Sequence, residues 1–226
     1  MARRAKRVER PQPPLPPAER TVGQLVAEAI KLYGRHFLRA LPLGVVVAAV
    51  NQLTIDASRF GVGAVLLVAA PVFSAAFAYA CQLEAERTQW RSWLIAIAAG
   101  SLVFVPAALL FPWFALASVL WLGLVGLAVP AAMRERTSFT ASLRRGFALG
   151  RVDYVHAAGA LATLVILFFL MRIGLALLLE SQADNTVRTA IFLSDTFLAP
   201  LLFLGGAILY DDQRARLELH ANATPL

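Results

Sequence analysis

The segment 131–170 constrains the fold of this chain more than any other, because it joins positive charge directly to a long apolar run. It carries Arg134 and Arg136, continues through a short amphipathic stretch with Arg144 and Arg145, and becomes apolar from about residue 155. An apolar run of roughly 20 residues is long enough to cross the hydrocarbon core of a membrane as a helix. Basic residues beside such a run determine which side of the membrane each end occupies.

Apolar blocks of similar length recur along the rest of the chain. Hydrophobic residues make up 59% of the 226 residues and charged residues 15%, against roughly 25% charged residues in an ordinary soluble domain. A soluble fold of this size could not cover so much apolar side chain with so few charges. The sequence therefore predicts an all-α, polytopic integral membrane protein with six transmembrane helices, over residues 37–55, 61–83, 93–110, 114–133, 155–179 and 189–210.

Two amphipathic segments precede the first and fifth predicted spans. Thr21 and Gln24 have the spacing of a capping box, and the apolar residues after them recur at i, i+3 and i+4. A second amphipathic helix is predicted over residues 138–150. Both are too short and too polar to span, so we expect two cytoplasmic interfacial helices. A shift of 117 residues aligns the two segments, which indicates reuse of one membrane-entry unit rather than a transporter-type repeat.

The basic residues are distributed unevenly between the two sides of the predicted bundle. If the N-terminus is cytoplasmic, 18 of the 21 Lys and Arg residues fall inside, Arg59 and Arg188 fall outside, and Arg172 lies within the fifth span. Such an excess is typical of cytoplasmic loops. We expect a multi-pass protein of the bacterial cytoplasmic membrane with both termini in the cytoplasm. The bacterial origin is suggested by 19 Arg against 2 Lys.

The chain is predicted to have one membrane domain with short flanking tails. Residues 1–20 are basic and proline-rich, which favours a disordered tail over a helix or a cleavable signal peptide. The membrane domain covers residues 21–216, and a polar C-terminal tail covers residues 217–226.

Arg172 and Asp195 are the only charged residues well inside the predicted spans. Each costs roughly 2.5–3.5 kcal/mol at the bilayer centre on insertion scales. Both lie 11 or 12 residues from the turn near residues 183–184, so an antiparallel hairpin brings them to the same depth. The spacing predicts an intramembrane ion pair. Its role could be structural packing or a gate or substrate-charge site, and the other alternative is an Arg172 that snorkels outward.

Proline and glycine mark further positions inside the predicted spans. Pro106 and Pro200 predict helix kinks, because proline lacks the backbone N–H that an α-helix requires. Gly123 and Gly126 predict close packing between helices.

Candidates for chemistry are few. The single cysteine, Cys81, excludes a disulfide framework and a cysteine-based metal site. Asp153 and His156, three residues apart, together with His36, are the best candidates for a metal or acid–base site. Polar residues at such positions normally end a span, so we predict no metal ion, no cofactor and no catalytic residue. Nucleic-acid binding is not expected, since no basic face is interleaved with stacking aromatic residues.

Two adjacent carboxylates follow the last predicted span. Asp211 and Asp212 point in different directions from a helix and make a poor metal clamp. We expect Arg214 and Arg216 to neutralise them.

Three segments, 21–37, 129–151 and 199–216, together resemble the bacterial membrane domain fused to some glycerophosphoryl diester phosphodiesterases, and its stand-alone six-span relatives. In that family an amphipathic helix precedes the first span, a basic segment precedes the fifth, and the last span carries proline and ends in a Tyr-Asp-Arg pattern. The positions that carry the resemblance are Pro130, Glu135, Leu143, Arg144, Arg145, Gly146, Pro200, Tyr210, Asp211, Arg214 and Arg216. Asp212-Gln213 shifts the family's usual spacing by one residue. The resemblance implies a membrane-domain architecture without the phosphodiesterase's catalytic barrel.

The expected role is a non-catalytic membrane scaffold or accessory subunit linked to lipids or membrane-protein assembly. Its partners would be membrane lipids, another membrane protein or a second copy of the chain. The alternative is a small transporter or lipid-handling protein with its site near Arg172 and Asp195. A transporter predicts a polar cavity that reaches these two residues, and a scaffold predicts an exposed small-residue face at Gly123 and Gly126. An integral membrane enzyme would gather acidic residues around Asp153 at the inner face.

Overall fold

A computed structural model describes residues 16–84 and 89–223 of the chain. Within these two ranges the backbone forms ten α-helices and one short 3₁₀ turn, Pro17–Glu19, and no β-strand. The helices are α1 (Val22–Arg35), α2 (Phe37–Thr54), α3 (Arg59–Glu84), α4 (Trp90–Leu110), α5 (Ala115–Val125), α6 (Ala128–Glu135), α7 (Phe139–Val152), α8 (Tyr154–Leu178), α9 (Asp184–Leu198) and α10 (Pro200–Ala223).

Six helical stretches are long and apolar enough to cross a membrane, so the chain is a multi-pass membrane protein. They are Phe37–Thr54, Arg59–Leu83, Trp90–Leu110, Ala115–Glu135, Tyr154–Leu178 and Asp184–Asn222. The predicted all-helical class and the number of spans are confirmed. The fourth and sixth stretches each consist of two consecutive helices, α5 with α6 and α9 with α10.

Proline explains both interruptions. In the fourth stretch, α5 ends at Val125 and α6 begins at Ala128. Pro130 has no N–H to donate to the carbonyl of Gly126, four residues earlier, so the helical ladder is broken there. In the sixth stretch Pro200 is the first residue of α10, a position where the missing N–H has no cost. At Pro106, by contrast, α4 continues without interruption.

The structure describes part of each predicted tail. Residues 1–15 of the predicted disordered tail lie outside the described ranges. Residues 16–20 are ordered, because Pro17–Glu19 forms a 3₁₀ turn and Arg20 pairs with the buried Asp212. At the C-terminus, α10 continues from the last predicted span through residues 217–223 of the predicted polar tail.

The amphipathic helices α1 and α7 have the same design. Shifting Val22–Arg35 by 117 residues gives the bounds of α7, Phe139–Val152, and each helix passes after one residue into a membrane-length helix. Three buried positions also correspond: Leu25, Ala29 and Leu32 in α1, and Ser142, Gly146 and Leu149 in α7. The fourth buried residue of α7, Gly150, has no buried counterpart in α1. The predicted capping box at the start of α1 is confirmed, with hydrogen bonds in both directions between Thr21 and Gln24.

The helix α10 is the centre of the bundle and contacts α1, α2, α3, α7 and α8. We call the end of the bundle that contains α1, α7 and the last part of α10 the basic end. The opposite end contains the connections at residues 55–58, 111–114 and 179–183.

Candidate functional site

The two charges predicted inside the membrane lie next to each other. Arg172 of α8 places its Nη1 atom 3.2 Å from Oδ2 of Asp195 in α9. Asp195 is 1% exposed, whereas the side chain of Arg172 is 21% exposed. The pair therefore joins a buried carboxylate to an arginine whose side chain is partly exposed.

A third polar residue completes this site, and sequence reasoning missed it. Asn51 of α2 donates a hydrogen bond from Nδ2 to Oδ2 of Asp195, at 2.8 Å. Both contacts use the same carboxylate oxygen. The other oxygen, Oδ1, is buried and has no hydrogen-bond partner among the described residues. We call Asn51, Arg172 and Asp195 the polar triad.

A close approach between helices brings Asn51 to Asp195. A Cβ atom added at Gly44 of α2 would lie only 1.8 Å from the backbone oxygen of Thr196 in α9. Only glycine allows the two backbones to come so close. Gly44 and Asn51 are seven residues apart, about two helical turns, so they share one face of α2.

Two further contacts hold α2 and the connection that follows it to α9 at the opposite end of the bundle. Gln52 donates from Nε2 to the backbone oxygen of Arg188 at 3.0 Å. The Arg188 guanidinium also pairs with Asp56 at 2.9 Å, with both side chains largely exposed. The sequence pattern predicted Arg188 on the outer side but not its pairing with Asp56.

An apolar cavity of about 270 Å³ lies beside the polar triad, between α2, α3, α4, α5, α8 and α10. Half of the chain's 14 phenylalanines line it: Phe73, Phe77, Phe104, Phe111, Phe168, Phe169 and Phe203. Asn51 and Ser118 are its polar lining residues. The Ser118 hydroxyl is already engaged, because it donates to the Ala107 carbonyl at 2.9 Å.

The cavity differs from the polar cavity that the transporter hypothesis predicts. Its wall is almost wholly apolar, and neither Arg172 nor Asp195 is among its lining residues. Asn51 connects the two parts, because it lines the cavity and also bonds to Asp195. Such an arrangement can hold an apolar chain and present one amide to a polar group at its end.

The positions that carry the family resemblance meet at the basic end. Glu135 of α6 accepts hydrogen bonds at the same oxygen, Oε1, from the Tyr210 hydroxyl at 2.7 Å and from Nε of Arg145 at 2.8 Å. The neighbouring Arg134 pairs with Asp211 at 3.1 Å. These contacts join α6, α7 and α10.

The remaining resemblance positions have other surroundings. Pro130 is fully buried, and Pro200 is fully buried at the start of α10. Arg144 is exposed on the surface of α7. Gly123 and Gly126, for which we predicted close packing, are both buried, and Gly123 lies against Ala158 of α8.

The expected neutralisation of Asp211 and Asp212 by Arg214 and Arg216 is not what the structure contains. Asp212, which is fully buried, pairs with Arg20 at 3.0 Å. Arg216 reaches Asp153 at 2.7 Å, and Arg214 pairs with Glu218 at 3.0 Å, one turn along α10. Arg214 lies three residues after Asp211 and Arg216 lies four residues after Asp212, spacings at which side chains on one helix can meet. Each arginine nevertheless binds another carboxylate.

Asp153 and His156 are close together at the start of α8. Asp153 caps α8 by accepting the backbone N–H of His156 at 3.1 Å, and its second oxygen binds Arg216. Nε2 of His156 lies 3.9 Å from Asp212. Over residues 16–84 and 89–223, no three His, Cys, Asp or Glu side chains are grouped so that they could hold a metal ion.

Comparison of the chain with protein-family models, with curated proteins and with solved structures finds no match.

Proposed function

We propose that this protein is a non-catalytic, lipid-handling membrane protein that holds one acyl or alkyl chain in the apolar cavity. The observation that carries this proposal is the phenylalanine-lined cavity with the polar triad at its side. A volume of about 270 Å³ corresponds to roughly nine water molecules, or to a chain on the order of ten methylene groups. This is close to the lower limit of ~300 Å³ for ordinary small-molecule sites.

The membrane itself competes for such a chain. Lipid tails are as apolar as the cavity wall, so transfer from bilayer to cavity gains little hydrophobic free energy. The cavity therefore needs shape and a polar contact to select its occupant. Asn51 supplies that contact, since its side chain belongs to the cavity wall.

The scaffold or accessory-subunit role takes second place because the surface that was predicted for it is not exposed. The small-residue face that it required, at Gly123 and Gly126, is buried inside the chain's own bundle. A partner protein or a second copy would have to bind elsewhere, for example along the part of α10 beyond the membrane, where Leu219 is exposed.

We also propose the topology that the basic residues favour. The basic end faces the cytoplasm of a bacterium, α1 and α7 lie in the plane of the membrane interface, and both termini are inside. The buried stripes of α1 and α7 against the bundle, together with their outward polar residues, support this placement. On the polar face of α1, Lys31 donates to Glu28 at 2.7 Å, and this hydrogen bond lowers the pKa of the Glu28 carboxyl.

Cysteine labelling tests this topology. In a Cys81→Ser background, single cysteines would be placed at the exposed positions Arg136 and Gln182. A membrane-impermeant maleimide added to intact cells should label Gln182→Cys, and should label Arg136→Cys only after permeabilisation. The reverse pattern would invert the proposed orientation.

The resemblance to the phosphodiesterase-associated membrane domain stays a prediction. Its support is that Glu135, Arg145 and Tyr210 form one connected unit in this chain. We propose that these residues brace the helices of such a domain and take no part in chemistry.

A matched pair of substitutions tests chain binding. Leu66 of α3 lines the cavity, whereas its neighbour Leu67 does not line it and is 40% exposed. Leu66→Trp should fill the cavity and abolish co-purification of a bound single-chain molecule in native mass spectrometry. Leu67→Trp should retain it. Equal retention by both variants, or no bound molecule in the unmodified protein reconstituted with decyl-chain probes, would refute the proposal.

A further inference from the structure

We infer that the polar triad selects an uncharged amphiphile whose head group donates a hydrogen bond, that is, a single-chain lipid ending in a hydroxyl group. This inference rests on the proposed function, because the chain of the same molecule would occupy the apolar cavity. It adds the chemical class of the head group, which the cavity alone does not determine.

The three side chains of the polar triad together carry no net charge. Arg172 and Asp195 lie 3.2 Å apart and cancel each other, and Asn51 is neutral. A head group with a net charge would add an uncompensated charge at a depth where few water molecules can solvate it. A carboxylate, a phosphate and an ammonium group are all disfavoured for this reason. A neutral head group leaves the balance unchanged.

Asn51 and Asp195 each retain a hydrogen-bond acceptor. Asn51 uses Nδ2 to donate to Asp195, so its amide oxygen, an acceptor, is directed away from that carboxylate. Asp195 keeps a second acceptor, Oδ1, which is buried and lacks a partner within the described part of the chain. Since Asp195 does not line the cavity, the acceptor that faces a head group there is the amide oxygen of Asn51. A hydroxyl is a donor, whereas an ether or an ionised carboxylate is not.

Asn51 lies between the apolar cavity and the rest of the polar triad. It is the residue of the triad that belongs to the cavity wall, and the other polar wall residue, Ser118, is engaged with the Ala107 carbonyl. A molecule with its chain among the phenylalanines would thus meet Asn51 with its polar end.

Three probes with the same chain separate these possibilities. We would measure binding of 1-decanol, decyl methyl ether and decanoate to the protein in lipid nanodiscs by native mass spectrometry. Each value would be divided by that for Leu66→Trp, which cancels partitioning into the nanodisc lipid. We expect 1-decanol to bind roughly tenfold more tightly than the ether, the ratio typical of one hydrogen bond to a buried polar group. Decanoate should bind more weakly than 1-decanol.

Substitutions of Asn51 and Asp195 should change the order in which the three probes bind, each in a different way. Asn51→Leu should remove the preference for 1-decanol over the ether. The matched control is Gln52→Leu, which removes the adjacent amide outside the cavity wall and should retain the preference. Asp195→Asn leaves Arg172 uncompensated and should reverse the order, so that decanoate binds more tightly than 1-decanol. The reversal cannot arise from mere unfolding.

The results distinguish failure of the proposed function from failure of the inference about the head group. If no probe distinguishes the unmodified protein from Leu66→Trp, the proposed function fails and this inference fails with it. If all three probes bind in the cavity but equally well, chain binding stands and the inference about the head group is overturned. Unchanged probe order in Asp195→Asn would also overturn it.

Discussion

The hydroxyl of Tyr210 donates a hydrogen bond of 2.7 Å to Oε1 of Glu135, 75 residues earlier in the chain. Tyr210 is fully buried, and Arg145 binds the same carboxylate oxygen. One carboxylate thus joins the last turn of α6 to α7 and to the centre of α10. The contact stabilises the basic end at the point where the broken fourth span leaves the membrane.

Tyr210→Phe should therefore destabilise the protein by about 1–3 kcal/mol, since a hydrogen bond to a charged group is lost inside the fold. The control is Tyr154→Phe, whose hydroxyl makes a longer bond of 3.2 Å to the Leu120 carbonyl at an exposed site. The measurement is the unfolding midpoint in mild detergent. An equal effect of the two substitutions would show that the hydrogen bond to Glu135 contributes no more to stability than the hydrogen bond to the Leu120 carbonyl.

The pair of Arg172 and Asp195 should behave as a coupled unit in a double-mutant cycle. Removing one partner of a buried ion pair costs about 3–5 kcal/mol, because the other charge stays buried without compensation. Arg172→Ala and Asp195→Ala should each lower the unfolding free energy, and the double variant should lose less than the sum of the two. Strict additivity would mean that the 3.2 Å contact contributes nothing.

The pairing of Arg172 with Asp195 could be predicted because it depends on one local rule, the equal distance of both residues from a single turn. Asn51 could not be found in this way. It lies 144 residues from Asp195 in the chain, and only the packing of α2 on α9 brings the two together. Its single sequence signal is an amide near the end of an apolar helix, which is also the ordinary signal of a span terminus.

At the basic end, too, local sequence patterns predicted the helices but not the contacts between distant segments. Composition and periodicity predicted the helices α1 and α7 and the location of the basic residues, because these follow from local pattern. The partners of Asp211 and Asp212 were wrongly assigned to the nearest arginines in sequence. The structure uses Arg134 and Arg20 instead, from segments that the hydrophobic pattern does not place beside α10. The cavity was also beyond prediction, since it depends on how seven phenylalanine side chains fail to fill a common space.

Gly44 should tolerate no side chain. A Cβ atom at this position would lie 1.8 Å from the Thr196 oxygen, a backbone atom that cannot turn aside. Gly44→Ala should separate α2 from α9, lengthen the Asn51–Asp195 hydrogen bond and lower stability by a few kcal/mol, on the order of overpacking in a dense core. The control is Gly159→Ala in α8, where the described residues leave the added Cβ without a neighbour within 4 Å. It should be neutral or slightly stabilising, as alanine is the better helix former.

Arg20 fixes the start of the described part of the chain to α10. Arg20 places Nη1 3.0 Å from the buried Oδ1 of Asp212, and Arg216 donates to the backbone oxygen of Arg20 at 2.9 Å. These contacts hold the 3₁₀ turn, which carries an exposed glutamate, Glu19. A protease that cuts after glutamate can act there only when the turn opens locally. Weakening the contact should therefore increase the rate of cleavage after Glu19.

Arg20→Ala and Asp212→Asn should each raise this cleavage rate roughly tenfold, which corresponds to about 1.4 kcal/mol of local opening free energy. Two variants are needed because Arg20 is also the residue after the cleaved bond, whereas Asp212 is remote from it in the chain. Arg35→Ala, at an exposed position in the last turn of α1, should leave the rate unchanged. A faster rate in Arg20→Ala alone would reflect protease preference, and the role of the Arg20–Asp212 pair in holding the turn would then be rejected.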